Sequence, residues 1–261
     1  MGITSALISI QNKQTMRKIL SAITMLICTT LVHAQSDKLK IKQLNDNMYI
    51  YTTYQEFQGV TYSCNSMYVL TDEGVILIDT PWDKDQYEPL VDYIRTNHNK
   101  EIKWVITTHF HEDRSGGLGY FNSIGAQTYT YALTNKILKE RNEPQAQHSF
   151  NKEKQFTFGN EKLAVYFLGE GHSLDNTVVW FPKEEVLYGG CLIKSAEATT
   201  IGNIADGNVI AWPKTIEAVK QKFKNAKVII PGHDEWDMTG HIENTERILS
   251  AYNQQHSTKN D

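Results

Sequence analysis

Three side chains that bind transition metals stand at alternate positions in one short segment, His109-x-His111-x-Asp113. Imidazole nitrogen and carboxylate oxygen are both ligands of zinc. The segment directly follows the apolar run 103–108, and residues two apart in an extended chain point to the same side. Two glycines in 115–117 then allow the backbone to turn sharply. The spacing therefore predicts a metal site at the end of a strand.

Three further metal-binding side chains stand in the same kind of place. His172, Cys191 and His233 each follow an apolar strand-like run and lie beside a glycine, where the backbone can approach an ion closely. Six ligands suit two zinc ions, each with three protein ligands and one position open for water, as in catalytic zinc sites. The other histidines of the chain beyond the N-terminal segment are interpreted as ordinary polar residues: His98, His148, His241 and His256.

The cysteines allow a second interpretation of Cys191. Beyond the N-terminal segment the chain has only Cys64 and Cys191, and two cysteines in an exported protein are by default a disulfide. Metal binding would instead hold Cys191 as a thiolate. Cys64, in the middle of a predicted strand, would then be a small buried apolar residue. The sequence favours the metal and leaves the disulfide open.

The predicted secondary structure delivers the candidate ligands from strand ends. The first series has strands at 48–52, 65–70 and 74–79, a helix at 86–98 and a strand at 103–108. The second has strands at 155–158, 163–168, 177–181 and 186–188, a helix at 212–223, a strand at 227–230 and a last helix at 244–253. Two such halves predict an α/β fold, a four-layer αββα sandwich with sheet packed on sheet and helices outside.

Together these residues resemble those of the metallo-β-lactamases (class B β-lactamases), in particular the dizinc subclass with a three-His site and an Asp-Cys-His site. The resemblance extends from about Lys40 to Asn253. It rests on the segments 77–82, 107–117, 171–173, 189–194 and 231–233. Glyoxalase-type and RNA-processing relatives carry a further His after the motif Asp and an Asp in place of the Cys. This chain has Arg114 and Cys191 there, which favours β-lactams over thioesters or RNA.

The resemblance implies zinc-dependent hydrolysis of the β-lactam amide bond of penicillins, cephalosporins and carbapenems, which confers antibiotic resistance. It implies two Zn²⁺ per chain, the first held by His109, His111 and His172, the second by Asp113, Cys191 and His233. A water shared by two zinc ions loses its proton near neutral pH, so the expected nucleophile is a metal-bound hydroxide. Asp113 is also the expected catalytic residue, which orients that water or relays a proton.

The resemblance also assigns two substrate contacts. Lys194 lies three residues after Cys191, and a fixed cation there suits the carboxylate beside the lactam ring. Asn203 is expected to donate a hydrogen bond to the lactam carbonyl. The alternatives are a solvated surface lysine and an ordinary turn asparagine.

Further residues are expected around this centre. Phe57 and Val60, in the loop after the first strand, are expected to form an apolar flap over the substrate, as the family implies. Asp79, Thr108 and Arg114 are candidates for positioning the metal ligands. Buried structural pairing explains Asp79 and Arg114 equally well.

The N-terminal segment is typical of export. A basic pair at 17–18, an apolar run at 19–32 and a small-residue cleavage site ending at Ala34 predict a secretory signal peptide over residues 1–34. The apolar run is short for a bilayer, and a retained membrane anchor is the alternative. Met16 stands directly before the basic pair and is an alternative translation start. We therefore expect a periplasmic protein with one domain at 35–261.

Composition limits the class of partner. The 261 residues are 40% hydrophobic and 21% charged, which is ordinary for a globular protein. A net charge of -4 without a long basic run argues against nucleic-acid binding. We expect small-molecule substrates, no stable membrane association and a monomer. Two other functions stay open, a zinc hydrolase of esters, lactones or thioesters and a non-catalytic zinc-binding protein.

Overall fold

The computed structural model of the protein describes residues 38–257. One compact unit is Ile41–Asp261, and the other, Met1–Lys40, is described only from residue 38 onward. The signal peptide expected at 1–34 therefore lies outside the described residues. Within 38–257 no helix has the length and apolar character needed to cross a membrane.

The first sheet contains seven strands in sequence order. They are β1 Leu39–Gln43, β2 Met48–Phe57, β3 Val60–Leu70, β4 Val75–Ile78, β5 Ile102–Thr107, β6 Gln127–Tyr131 and β7 His148–Phe150. The β2–β3 and β3–β4 pairs are antiparallel, whereas β4 to β7 pair in parallel. Parallel neighbours need crossovers, and helices α1 Tyr87–His98, α2 Glu112–Ser115, α3 Leu118–Ser123 and α4 Ala132–Glu140 lie in them.

The second sheet has five strands in the order β12-β11-β10-β9-β8. They are β8 Glu153–Phe158, β9 Glu161–Tyr166, β10 Val178–Phe181, β11 Val186–Gly190 and β12 Val228–Pro231. Only β11 and β12 among these pair in parallel. Helix α5 Trp212–Lys222 connects those two strands, and α6 His241–Ser257 follows β12.

Alternation along the strands divides the core into layers. In β10, Val179 faces the cluster between the two sheets and Val178 the cluster under α5 and α6. Ile76 and Ile106 of the first sheet join the first cluster, and Trp212 of α5 joins the second. This alternation follows from the two-residue period of a strand. The predicted αββα sandwich is confirmed, because both sheets meet face to face and carry helices outside.

The pattern missed β1, β6, β7 and the helices α2, α3 and α4, although most predicted strands match within two or three residues. In β6 the fully buried side chains are Thr128 and Thr130, whereas Tyr129 and Tyr131 pack against the core between the sheets but are only partly buried, so the strand shows no clear apolar alternation. The Thr107 hydroxyl bonds that of Thr130 at 2.9 Å, which satisfies these polar groups inside the sheet. The last helix is also longer than predicted, His241–Ser257, because its exposed end is polar.

Candidate metal centre

Three histidines converge at one end of the sandwich. His109 lies two residues after β5, His111 immediately precedes α2, and His172 lies in the loop between β9 and β10. Nε2 of His109 is 3.1 Å from Nδ1 of His111, which is 3.1 Å from Nε2 of His172. The three rings are almost perpendicular, with interplanar angles of 79° to 80°. One nitrogen of each ring therefore faces a common point.

The histidine cluster is set up to donate lone pairs. Burial lowers the pKa of His109 well below its usual range, and the neighbouring His111 lowers it further. Burial and then the Lys194 ammonium do the same to the pKa of His172. Neutral imidazole is the form that binds metals. These rings are therefore ready to bind a cation without losing a proton.

A second cluster lies beside the first. Asp113 is in the first turn of α2, Cys191 directly follows β11, and His233 follows β12. The three ligand atoms form a closed triangle: Cys191 Sγ is 3.5 Å from Asp113 Oδ2 and 3.2 Å from His233 Nε2, which is 3.3 Å from the same oxygen. Tetrahedral zinc places its nitrogen, oxygen and sulfur ligands roughly 3.3–3.6 Å apart. The triangle has the size of such a site.

The donor atoms of both clusters fit zinc. Imidazole nitrogen, carboxylate oxygen and thiolate sulfur are its usual ligands. Cys64 and Cys191 are both free, so the alternative of a disulfide between them is wrong. Cys64 is fully buried in β3, as predicted. The ligand atoms of His109, Asp113 and Cys191 also lie within 4.8 Å of one another, so the two clusters adjoin and suit two ions side by side.

Arg114 holds the second cluster from behind. Its fully buried guanidinium donates to the Cys191 sulfur at 3.0 Å and to the Gly232 carbonyl at 2.8 Å. Its Nε lies 3.0 Å from Asp113 Oδ2, and Nη1 lies 3.7 Å from Asp79 Oδ2. One cation therefore faces two of the candidate ligands and a second buried carboxylate. Arg114 therefore fits both interpretations from the sequence, because the same hydrogen-bond network pairs buried charges and positions the candidate metal ligands.

Asp79 fixes the chain that leads into the first cluster. It has a positive φ of 59°, accepts from the Thr108 amide at 2.6 Å and hydroxyl at 2.8 Å, and accepts from the Tyr188 hydroxyl at 2.7 Å. Burial raises the pKa of Asp79 to about 6, although Arg114 and these hydrogen bonds act against it. Thr108 precedes His109, so this carboxylate sets where that ligand leaves the strand.

Two ligand-bearing loops touch at Gly232. A Cβ there would lie 2.7 Å from the backbone of Cys191 and of Gly190, closer than real contacts allow. The Gly232 amide instead donates to the Gly190 carbonyl at 2.8 Å. A residue without a side chain therefore brings Cys191 and His233 into one cluster.

Lys194 lies next to this centre and is not the solvated surface lysine of the alternative. It is only 8% exposed, and its ammonium lies 5.3 Å from the Trp212 ring centroid. A Cβ built on Gly202 would be 3.5 Å from Nζ, so the ammonium borders the loop that carries Asn203. Asn203 itself is exposed, and its Oδ1 accepts from the Ala205 amide at 3.0 Å. This turn contact uses the side-chain oxygen of Asn203 and does not involve its side-chain NH2 group, which is the donor expected to bind the substrate.

The flap residues stand at the tip of the β2–β3 hairpin. Phe57 pairs with Val60, and their exposed fractions are 61% and 51%. Exposed apolar side chains of this size on a hairpin tip are available to cover an apolar ligand.

Asp206 is a functional candidate that no sequence motif marked. Its Oδ2 lies 3.1 Å from Nε2 of His111, whose Nδ1 faces the first cluster. Its Oδ1 accepts from Arg141 at 3.0 Å, and the Arg141 guanidinium lies 4.3 Å from the Phe110 ring centroid. A carboxylate on the outer nitrogen fixes the tautomer in which the inner nitrogen is a ligand. Asp206 and His111 are 95 positions apart, so only the folded chain reveals the pair.

Replacing Asp206 with Asn is expected to weaken metal binding at the histidine cluster. Loss of such a carboxylate partner typically costs about 10–100-fold in affinity. Competition with a chromophoric chelator measures it. The matched control is Asp237→Asn, an exposed acid paired with Lys42, which should bind metal like the wild type. Equal affinity in all three proteins would contradict a role for Asp206.

Comparison with known proteins agrees with this geometry. Residues 59–233 match the model of the "Metallo-beta-lactamase superfamily". The chain is 47% identical over 207 residues to metallo-beta-lactamase IND-1 of Chryseobacterium indologenes, covering 79% of this chain and 87% of that protein. It is 39% identical over 226 residues to a metallo-beta-lactamase type 2 of Elizabethkingia meningoseptica, covering 87% and 91%.

A solved structure shows the same likeness in three dimensions. The crystal structure of metallo-beta-lactamase IND-7 superposes with a TM-score of 0.81 at 46% identity, covering 83% of this chain and 100% of that one. The residues that match the family model include all six candidate ligands, and the chain belongs to the metallo-beta-lactamase superfamily.

Proposed function

We propose that this protein hydrolyses the β-lactam amide bond of penicillins, cephalosporins and carbapenems with two zinc ions bound, and so confers antibiotic resistance. The observation that carries the proposal is the pair of adjoining ligand clusters with a buried lysine beside the second. Relatives named as metallo-beta-lactamases at 39% and 47% identity support it.

The six candidate ligands divide between the two ions. His109, His111 and His172 would hold the first ion, and Asp113, Cys191 and His233 would hold the second. Zinc bound there supplies Lewis acidity, which polarises a carbonyl and activates water. Burial opposes ionisation of Asp113, yet Arg114 and His233 hold the pKa of Asp113 well below its usual range. This carboxylate is therefore an ionised acceptor: Oδ2 belongs to the ligand triangle, and the other oxygen would orient water and relay a proton.

Lys194 binds the carboxylate beside the lactam ring. A buried ammonium is screened less than an exposed one, so its attraction for an anion is stronger. Burial also lowers the pKa of Lys194, while Cys191 and Asp113 act to raise it. The amide of Asn203 donates to the lactam carbonyl, and Phe57 and Val60 cover the apolar part of the substrate.

We further propose that the protein acts in the periplasm as a monomer. The support for export is the basic and apolar pattern of residues 1–34, which ends in a small-residue cleavage site. Export brings the domain to the compartment where β-lactams reach their targets.

Zinc-loaded protein is expected to hydrolyse a chromogenic cephalosporin, a penicillin and a carbapenem. A chelator should abolish turnover, and two equivalents of zinc should restore it, with stoichiometry followed by native mass spectrometry. Turnover of esters, lactones or thioesters with all β-lactams untouched would favour the alternative hydrolase. If the protein binds two zinc ions but turns over none of these compounds, the result would favour the alternative of a non-catalytic zinc-binding protein.

A further inference from the structure

The first turn of α6 lies against the segment that carries Lys194. His241, Asn244 and Thr245 are all buried there. They face the backbone of 194–198, which begins three residues after Cys191 and leads toward the loop of Asn203. This turn lies about 50 positions later in the chain, and none of its side chains belongs to the ligand clusters.

The three side chains make hydrogen bonds of 2.9 Å or less to four backbone groups of that segment. The Thr245 hydroxyl accepts from the Lys194 amide at 2.9 Å. Nδ1 of His241 accepts from the Ala196 amide at 2.9 Å. Asn244 donates to the carbonyls of Ser195 at 2.7 Å and Ala198 at 2.9 Å.

We call His241, Asn244 and Thr245 the clamp residues, and each of them has a further hydrogen bond that fixes its side chain. Thr245 donates to the His241 carbonyl within α6 at 2.7 Å, and Nε2 of His241 lies 3.2 Å from the Trp236 carbonyl oxygen. The Asn244 Oδ1 accepts from Arg247 at 2.6 Å. Buried hydrogen bonds with every partner present define one backbone geometry. The helix therefore holds the segment 194–198 in addition to the contacts of Ser195, whose carbonyl accepts from the Ala198 amide and whose hydroxyl donates to the Glu235 carbonyl.

This matters for Lys194 because a lysine side chain has four flexible carbons and no fixed direction of its own. Its ammonium is located by the Trp212 ring on one side and Gly202 on the other. The backbone position of Lys194 relative to these two therefore limits where Nζ can lie. A shift of about 1 Å in a group that orients a substrate can cost up to about 100-fold in rate.

We propose that His241, Asn244 and Thr245 are positioning residues that set the location of the Lys194 ammonium and thereby the preference for substrates with a carboxylate beside the scissile amide. The proposal rests on the proposed function, since it concerns recognition of the same substrates. None of the three touches substrate or metal.

The test compares a cephalosporin with its methyl ester, which lacks the anionic group. The wild type should prefer the acid in kcat/KM. Thr245→Val keeps the side-chain shape but removes the hydroxyl, and it should reduce the acid-to-ester ratio about tenfold, mainly through KM. Thr245→Ser should restore the ratio. Thr128→Val is the matched control, because Thr128 is another buried threonine with hydrogen bonds to Asn122 and Gln147.

A double-mutant cycle separates positioning from general damage. In a Lys194→Met background, Thr245→Val should leave the acid-to-ester ratio unchanged. Asn244→Ala provides a second clamp variant with the same expectation. A loss of acid and ester turnover in equal proportion would overturn the proposal, as would a change in ratio that persists without Lys194.

Amide hydrogen exchange tests the clamp without turnover. In metal-free protein, exchange of the Lys194 amide should accelerate in Thr245→Val and not in Thr128→Val. Unchanged exchange would overturn the clamp. A wild type inactive on both acid and ester would instead reject the proposed function, so the two failures are distinguishable.

Discussion

Replacing Arg114 with Met is expected to lower the free energy of unfolding by about 3–5 kcal/mol, the usual cost of removing one partner from a buried charge network. The variant would leave Asp113 and Asp79 as buried carboxylates without their cation. It would also remove donors to Cys191 and the Gly232 carbonyl. Urea denaturation of metal-free protein measures the loss.

The control for this variant is Arg95→Met. Arg95 pairs with Asp92 on the exposed face of α1, and an exposed pair contributes about 0–1 kcal/mol. Zinc should recover part of the loss in Arg114→Met, because metal ions at the second cluster would neutralise Asp113 but not Asp79. If the free energy of unfolding of Arg114→Met lay within about 1 kcal/mol of the wild-type value, as expected for an exposed ion pair, the result would contradict the role given to the Arg114 network.

Cys191→Ser is expected to remove the second metal and to lower the rate of β-lactam hydrolysis. The loss should exceed the roughly 10–100-fold that is typical when a residue that only hydrogen-bonds a metal ligand is replaced. A serine hydroxyl stays protonated at neutral pH and is a poor replacement for a thiolate. It would leave Arg114 facing a neutral group where Sγ now stands at 3.0 Å. Cobalt substitution provides the measurement, since the sulfur-to-cobalt charge-transfer band should disappear while one ion stays bound.

Cys64→Ala is the matched control for the cysteine. Cys64 is buried near the same cluster, with Sγ 3.4 Å from the Asp113 carbonyl oxygen, but it is not in the ligand triangle. This variant should keep two cobalt ions and the sulfur band. Loss of the band in Cys64→Ala, or its survival in Cys191→Ser, would contradict the assignment of the ligand.

The sequence predicted the candidate ligands because they stand at or shortly after the ends of short apolar strands. The end of a parallel strand is a fixed place in the fold, so His109 and His233 could be located from periodicity alone. Grouping them into two sets needed the family resemblance, because spacing does not say which ligands meet. The structure brings each set together as that resemblance implies.

Contacts between distant segments were beyond the sequence. Asp206 lies in a loop with no periodicity, and its pairing with His111 and Arg141 arises only when that loop packs on the end of α4. Thr245 looks like an ordinary polar residue of an amphipathic helix. In β6 the fully buried residues are threonines and the tyrosines on the core face are only partly buried, so the signal of an inward apolar face was weak. In each case the deciding interaction is a hydrogen bond of a polar side chain that forms only in the folded chain.

The two ligand clusters draw on both sheets of the sandwich. His109, His111 and Asp113 follow a strand of the first sheet, whereas His172, Cys191 and His233 lie beside strands of the second. A zinc ion bound at either cluster would have ligands from both sheets and would hold the two sheets together. A ligand that binds only the folded chain stabilises that chain by an amount that grows with the logarithm of the free ligand concentration. Zinc starvation would therefore shorten the life of the protein as well as stop its turnover. A metal-sequestering drug would therefore both stop turnover by this protein and lower its stability.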